Sequence, residues 1–168
     1  MKPIIIAIVG ESGSGKTTLS RHLKEALNIP YVVSYTTRQM RENEVDGVDH
    51  WFANNMPVSP SQTLAYTLFS GNQYWTLPTQ IDAYPIVSYV IDEKGLINLE
   101  ERWGDAYQVV AVHVERPGNP TDAERVQRDK ERVQYNNYAC TITNLGTLPE
   151  FLETATETIE TTITKIKS

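Results

Sequence analysis

Cysteine is nearly absent. Cys140 is the single one in 168 residues, so no internal disulfide can form, and a reducing, cytoplasmic compartment is the expectation. Long apolar runs are missing too. Met1-Lys2-Pro3 followed by Ile4-Ile5-Ile6-Ala7-Ile8-Val9 has the opening of a secretory signal. The run is too short to span a bilayer, however, and passes straight into Gly10 and Glu11 without a small-residue cleavage site. Positive charge is in deficit, 15 Lys and Arg against 21 Asp and Glu, for a net charge of −6. That balance argues against broad, backbone-driven nucleic-acid binding, while a local arginine cluster can still hold a small anion. No membrane span, internal repeat, low-complexity tract or Pro/Gly/Ser-rich linker is visible. Residues 1–168 therefore read as one compact domain with a substantial core.

What is present alternates strand and helix. The continuous apolar run 3–9 suits a strand buried on both faces, and from Thr17 to about Leu27 the fourfold spacing of Leu19, Leu23 and Leu27 marks a helix. Tyr31 to Tyr35 has strand propensity, and Asp46-Gly47 signals a turn with 48–52 as the returning strand of a hairpin. Residues 53–64 read as a loop with room for a short helix. Tyr84 to Ile91 and Gln108 to Val114 are further core strands, separated by a helix through Leu96, Leu99 and Trp103 that Gly104 closes. Thr121-Asp122-Ala123-Glu124 opens a charged helix to about Val133 with a capping-box pattern. A last strand spans 138–143. Thr147-Leu148-Pro149-Glu150 is a second capping box, and Phe151, Ala155, Ile159, Ile163 and Ile166 form one stripe behind it. The expected fold is α/β in three layers, with a mostly parallel five-stranded core sheet.

Gly10-Glu11-Ser12-Gly13-Ser14-Gly15-Lys16-Thr17 matches the full Walker A pattern, and it lies between a buried strand and a helix start. Glycines let successive N–H groups converge on phosphate oxygens, and the helix N-terminus adds partial positive charge there. Lys16 reaches the β- and γ-phosphates, and the Thr17 hydroxyl suits Mg²⁺. Gly10, Ser12, Gly13, Ser14, Gly15, Lys16, Thr17 and Thr18 are the candidate ATP-binding residues, with Mg²⁺ at Thr17. The Asn/Thr-Lys-x-Asp element of guanine-switching GTPases is absent, and the chain is too short for a large mechanochemical ATPase. A small-molecule kinase remains.

Ser34-Tyr35-Thr36-Thr37-Arg38-Gln39-Met40-Arg41 places two arginines three residues apart beside hydroxyl side chains, just past a core strand. Arginine forks with neutral donors suit a phosphate, and a solvated loop is the plainer alternative. From Ser34 to Phe52 the run resembles the guanylate kinase pattern S-x-T-T-R-x-x-R-x-x-E-x-x-G-x-D-Y-x-F. Phe69-Ser70-Gly71-Asn72-Gln73-Tyr74-Trp75-Thr76 is similar to that family's G-N-x-Y-G-[ST] element. The resemblance implies a P-loop nucleoside monophosphate kinase with an acceptor-binding subregion near 34–80 and a short lid near 115–133. It implies that Ser34, Arg38, Arg41 and Tyr74 hold the acceptor's phosphate and that Thr76 touches its base. Asp92, on a strand similar to the family's D-x-D-x-Q-G, would orient Mg²⁺ or substrate.

The departures point one way. His50 stands where the family has tyrosine, either as a phosphate donor or as a packing residue. Ala65 stands where the family has a guanine-reading glutamate, Val90 replaces the first aspartate and Trp75 the glycine. Phosphate-handling positions survive while base-reading ones do not, so altered base specificity is expected.

Arg125, Arg128 and Arg132 share one face of the charged helix. Either Glu124 and Glu131 neutralise them as a solvated salt-bridged surface, or they close over the transferring phosphoryl group. The second reading agrees with the family's lid and makes Arg128 and Arg132, with Lys16 and Asp92, the candidate catalytic residues. Arg116, before Pro117-Gly118, is a further candidate for contact with adenine or phosphate. Two other functions stay open: a kinase for a phosphorylated sugar such as a ribose bisphosphate, and a non-catalytic interaction module of the same fold. The expected partner is a small nucleotide.

Overall fold

The computed structural model describes residues 2–118 and 123–168, without the side chains of 124, 125 and 128. Strand β1 (Ile4–Val9) is buried along its whole length. It pairs in parallel with β6 (Ile86–Val90) on one side and β7 (Gln108–Glu115) on the other, and β7 pairs in parallel with β8 (Cys140–Thr143). Alternation along β1 divides the core. Ile4, Ile6 and Ile8 join Leu19 and Leu23 of α1 (Lys16–Leu27) and Phe151, Ala155 and Ile159 of α5 (Leu148–Lys167). Ile5, Ala7 and Val9 face the other way, toward Leu96 and Leu99 of α3 (Glu93–Trp103). The three layers expected from the pattern are present. Ile166, placed on the α5 stripe by its spacing, is exposed.

The main sheet differs from the expected five strands. It has four among the described residues, in the order β6-β1-β7-β8, all parallel. Tyr31 marks the fifth position with one parallel bridge to Ser88, through Val32 N–H to Ser88 O and Ser88 N–H to Pro30 O. The chain then leaves this edge to supply β2 (Tyr35–Thr36) to a second sheet, because Val33 O is taken by the Gln80 side chain.

That second sheet has the order β3-β2-β5-β4, formed with β3 (Trp51–Phe52), β4 (Leu64–Phe69) and β5 (Asn72–Thr76). The expected hairpin around Asp46-Gly47 is replaced by a folded loop. Asp49 accepts from Val45 N–H and Asp46 from Phe52 N–H, and β3 then pairs in parallel with β2. A hairpin that the sequence reading did not place joins β4 to β5 through Ser70-Gly71. Both residues have positive φ, 46° and 76°, as a two-residue type I′ turn requires. The remaining elements are a 3₁₀ turn Pro60–Gln62, α2 (Thr79–Asp82) and α4 (Ala123–Lys130). The second capping box is as expected, with Thr147 and Glu150 bonded reciprocally. The first, at Thr121-Asp122, lies outside the described residues. No described helix is long and apolar enough to cross a membrane.

No atom lies within 4 Å of a Cβ added at Gly71, so a substitution there meets only backbone strain. Gly71→Ala is expected to lower the unfolding free energy by about 1–2 kcal/mol in urea titrations, and Gly71→Asn by less.

Candidate active site

β1 ends at the carboxyl edge of the sheet, and residues 10–15 turn there into α1. Gly10 is obligatory for steric reasons, since a Cβ would fall 2.0 Å from Val114 O. Gly15 has φ 110°, and Asn144 Nδ2 donates to Ser14 O at 2.8 Å, tying the loop to the end of β8. Lys16 folds back over the loop, and its Nζ donates to Gly10 O and Glu11 O, both at 2.7 Å. Ser14 Oγ is fully buried and has no hydrogen-bond partner among the described residues. The donor set fits a polyphosphate: main-chain N–H groups, a lysine and an orphaned buried hydroxyl. A cavity of about 360 Å³ adjoins it, lined by Lys16, Thr17, Thr18, Arg116, Gly146, Leu148 and Phe151 among others. Thr17, Thr18 and Arg116 are exposed at its rim.

A second cradle forms around β2 and β3. Ser34 Oγ and His50 Nδ1 are hydrogen-bonded at 2.9 Å, and the His50 ring meets Tyr74 edge-on with centroids 5.9 Å apart. Arg38 lies over the Phe52 ring and is gripped by Glu44 through both terminal nitrogens, at 2.9 and 2.6 Å. Glu44 also accepts from Arg41 N–H at 2.8 Å, which sets the two arginines beside each other. The Arg38 bond holds the Glu44 carboxyl below its ordinary range, and the Glu44 bond raises Arg38 in turn. Burial first, and then the Arg38 charge, lower the His50 pKa. An Arg21–Asp49 ion pair at 3.3 Å fastens this loop to α1, directly after the phosphate loop.

Ser34, Arg38, His50 and Tyr74 thus lie together, with the Arg41 main chain joined to them through Glu44. Thr76 stands apart. It is fully buried, and its hydroxyl donates to the Tyr89 hydroxyl at 2.5 Å. Ala65, with φ 53°, is also buried, at the bulge in β4 and within the core that includes α3. Tyr35 stacks between Trp51 and Trp75, centroids 6.3 and 5.5 Å away, so these rings largely cover one another.

A third group joins the first two. Asp92 caps α3, accepting from Gly95 N–H at 2.6 Å. Its residue surface is open, yet the protein packed around the carboxyl raises its pKa, against the pull of the Gly95 N–H. Arg132 grips Glu93 through Nε at 2.8 Å and through Nη2, and approaches Glu11 at 3.7 Å. Burial opposes the Arg132 charge, and Glu93 more than offsets it. Ser12 N–H donates to Asp129 at 3.3 Å. The Arg128 and Arg125 side chains lie outside the described residues. The sequence reading assigned no role to Glu44, Glu93, Asp129 or Asn144. Glu44 was legible as the motif's acid three residues after Arg41. The other three meet their partners across 39 residues or more, beyond any local pattern.

A phosphate loop at the carboxyl edge of a parallel sheet, with a second arginine-built cradle beside it, defines a P-loop nucleotide-binding protein. The family model described as guanylate kinase matches residues 1–88. The chain is 34% identical over 140 residues to the guanylate kinase of Chlorobaculum tepidum, covering 77% of this chain and 71% of that protein. To the guanylate kinase of Helicobacter hepaticus it is 31% identical over 122 residues, covering 66% and 60% respectively. The crystal structure of guanylate kinase from Anaplasma phagocytophilum superposes with a TM-score of 0.60 over 98% of this chain and 87% of that one, at 19% identity, a likeness of fold. The chain belongs to the guanylate kinase family.

Because folding depresses the His50 pKa below its ordinary 6.5, the unfolded chain protonates first as pH falls. The contribution of neutral His50 is complete above 6.5 and is lost on acidification toward the folded-state value. Urea titrations at about pH 7.5 and about pH 5.5 are expected to show a larger acid loss in wild type than in His50→Gln.

Proposed function

We propose that the protein transfers the γ-phosphoryl group of Mg²⁺·ATP to a nucleoside or deoxynucleoside monophosphate, giving two diphosphates. The observation that carries this reading is the pair of anion cradles, built differently and fastened together through Arg21 and Asp49. The loop 10–16 takes the donor's triphosphate, with Lys16 released from the Gly10 and Glu11 carbonyls onto the β- and γ-oxygens. The donor base occupies the adjoining cavity between Arg116 and the 146–148 turn. The Thr17 hydroxyl would hold Mg²⁺, which when bound would supply positive charge against the donor's phosphates.

Ser34, Arg38, Arg41, His50 and Tyr74 hold the acceptor's phosphate. One of its oxygens attacks the γ-phosphorus as the bond to the ADP oxygen breaks, with no covalent protein intermediate. Arg132 and Arg128 stabilise the charge spread over the transferring group, and Asp92 orients metal or substrate. Residues 1–168 act as one domain, with the acceptor-binding subregion near 34–80 and the lid near 115–133.

The base preference departs from guanine. Ala65 is 3% exposed and has no hydrogen-bonding side chain, and the Thr76 hydroxyl is spent on Tyr89. The same two burials support a second reading, in which the acceptor is a phosphorylated sugar recognised through its phosphate alone. The experiment is ADP production from Mg²⁺·ATP against ribo- and deoxynucleoside monophosphates and sugar phosphates. Turnover of one or a few nucleotides is expected, falling at least about a hundredfold in Lys16→Ala. Turnover of sugar phosphates alone replaces the first reading with the second, and silence across both sets despite ATP binding sinks both. On the accepted substrate, Arg38→Lys is expected to raise the acceptor KM about tenfold while leaving the ATP KM unchanged.

A further inference from the structure

Asp129 at the end of α4 and Arg132 just beyond it make contacts that the proposed reaction does not use in the form seen. Asp129 Oδ1 accepts from Ser12 N–H at 3.3 Å, placing a carboxylate on a main-chain donor of the phosphate loop. Two residues past the end of α4, Arg132 sends Nε and Nη2 to one oxygen of Glu93 and Nη1 toward Glu11. Arg132 N–H also bonds Asp129 O at 3.3 Å, which fixes the two residues relative to each other. Glu93 is 3% exposed at the first position of α3. A carboxylate buried that deeply needs a facing cation, so removing Arg132 from it is unfavourable. The buried pair therefore acts as an anchor, and Asp129 is held on the loop by it.

We propose that Asp129 is an internal anion that competes with the donor's phosphates for the phosphate loop, held there by the Glu93–Arg132 anchor. This rests on the reading of that loop as the ATP site. The oxygen on Ser12 N–H and an incoming phosphate oxygen need the same donor and repel each other, so the donor must displace Asp129 before it seats fully. Glu93 is thereby a positioning residue: it touches neither nucleotide, and sets how firmly Asp129 is held.

The test is calorimetric titration of the full chain with Mg²⁺·ATP and, separately, with inorganic tripolyphosphate in the absence of magnesium. Asp129→Asn keeps the shape and removes the charge, and Asp129→Ala removes the group. Asp129 is half-buried at the surface, and thermal melts check that both variants remain folded. Both are expected to bind either probe about three- to tenfold more tightly than wild type, by loss of a charge-assisted contact. In a Glu93→Gln background the same substitution is expected to gain less than about twofold, because the anchor is already loosened. Unchanged or weaker affinity in both Asp129 variants overturns the proposal. So does weaker Mg²⁺·ATP binding with tripolyphosphate unaffected, which assigns Asp129 to the metal instead. If wild type binds both probes and the variants bind equally, the proposal falls alone. If no form binds either probe, the ATP-site reading falls with it.

Discussion

Strand β1 is buried on both faces and hydrogen-bonded on both edges, so its direction and end point are fixed by the core. The site depends on that end point. Where the strand stops, the backbone must turn beside Val114 with no room for a side chain at Gly10, and it re-enters the core as α1 through Leu19 and Leu23. The loop between is held at both ends and bridged by Asn144 from β8. Its N–H groups are therefore aimed before any ligand arrives, and little ordering remains for binding to oppose. Lys16, resting on two loop carbonyls, is already beside the place where a phosphate chain would lie.

The acceptor side is built on electrostatics more than on burial. Its two-residue strands supply little apolar core, and order comes from charge pairs: Glu44 across Arg38 and the Arg41 amide, Asp49 on Val45 and Arg21, Asp46 on Phe52. Glu44 thus ties the Arg38 guanidinium to the Arg41 main chain. By contrast, the positions at which the family resemblance leads one to expect base contacts lie in packing. Ala65 lies in the core against α3, Trp75 lies under Tyr35, and Thr76 is bonded to Tyr89. The proposed departure from guanine rests on this contrast between the two sets of side chains.

The parts of this fold that a reader of the sequence can see are those with strong local periodicity. The six apolar residues of β1, the leucines of α1 and the Thr147–Glu150 capping box all form as their spacing implies. The Walker pattern places eight candidate residues at once because the loop is contiguous. Local rules fail where a side chain bonds the main chain and overrides them. Gln80 takes Val33 O and helps turn the expected fifth strand into a single bridge at Tyr31, while the Asp46 and Asp49 carboxylates convert an expected hairpin into a capped loop. The β4–β5 hairpin was hidden for a different reason: Ser70-Gly71 is a weaker turn signal than Asn-Gly, and both β4 faces are partly apolar. At the site, the expected helix to about Val133 stops at Lys130, so Arg132 lies just past it rather than on its face, and its partners Glu93 and Glu11 come from other elements.

The central claim is that one chain carries two separate phosphate cradles, one for a donor and one for an acceptor. Amide chemical-shift mapping by NMR, with Mg²⁺·ATP and a nucleoside monophosphate added in turn, tests it most directly. Shifts from Mg²⁺·ATP are expected to concentrate at residues 10–18 and around Arg116 and Asn144. Those from the monophosphate are expected at Ser34, Arg38 to Glu44, His50 and Tyr74. Perturbation of one common set of residues by both ligands, or no response to the monophosphate at the second set, would contradict the account.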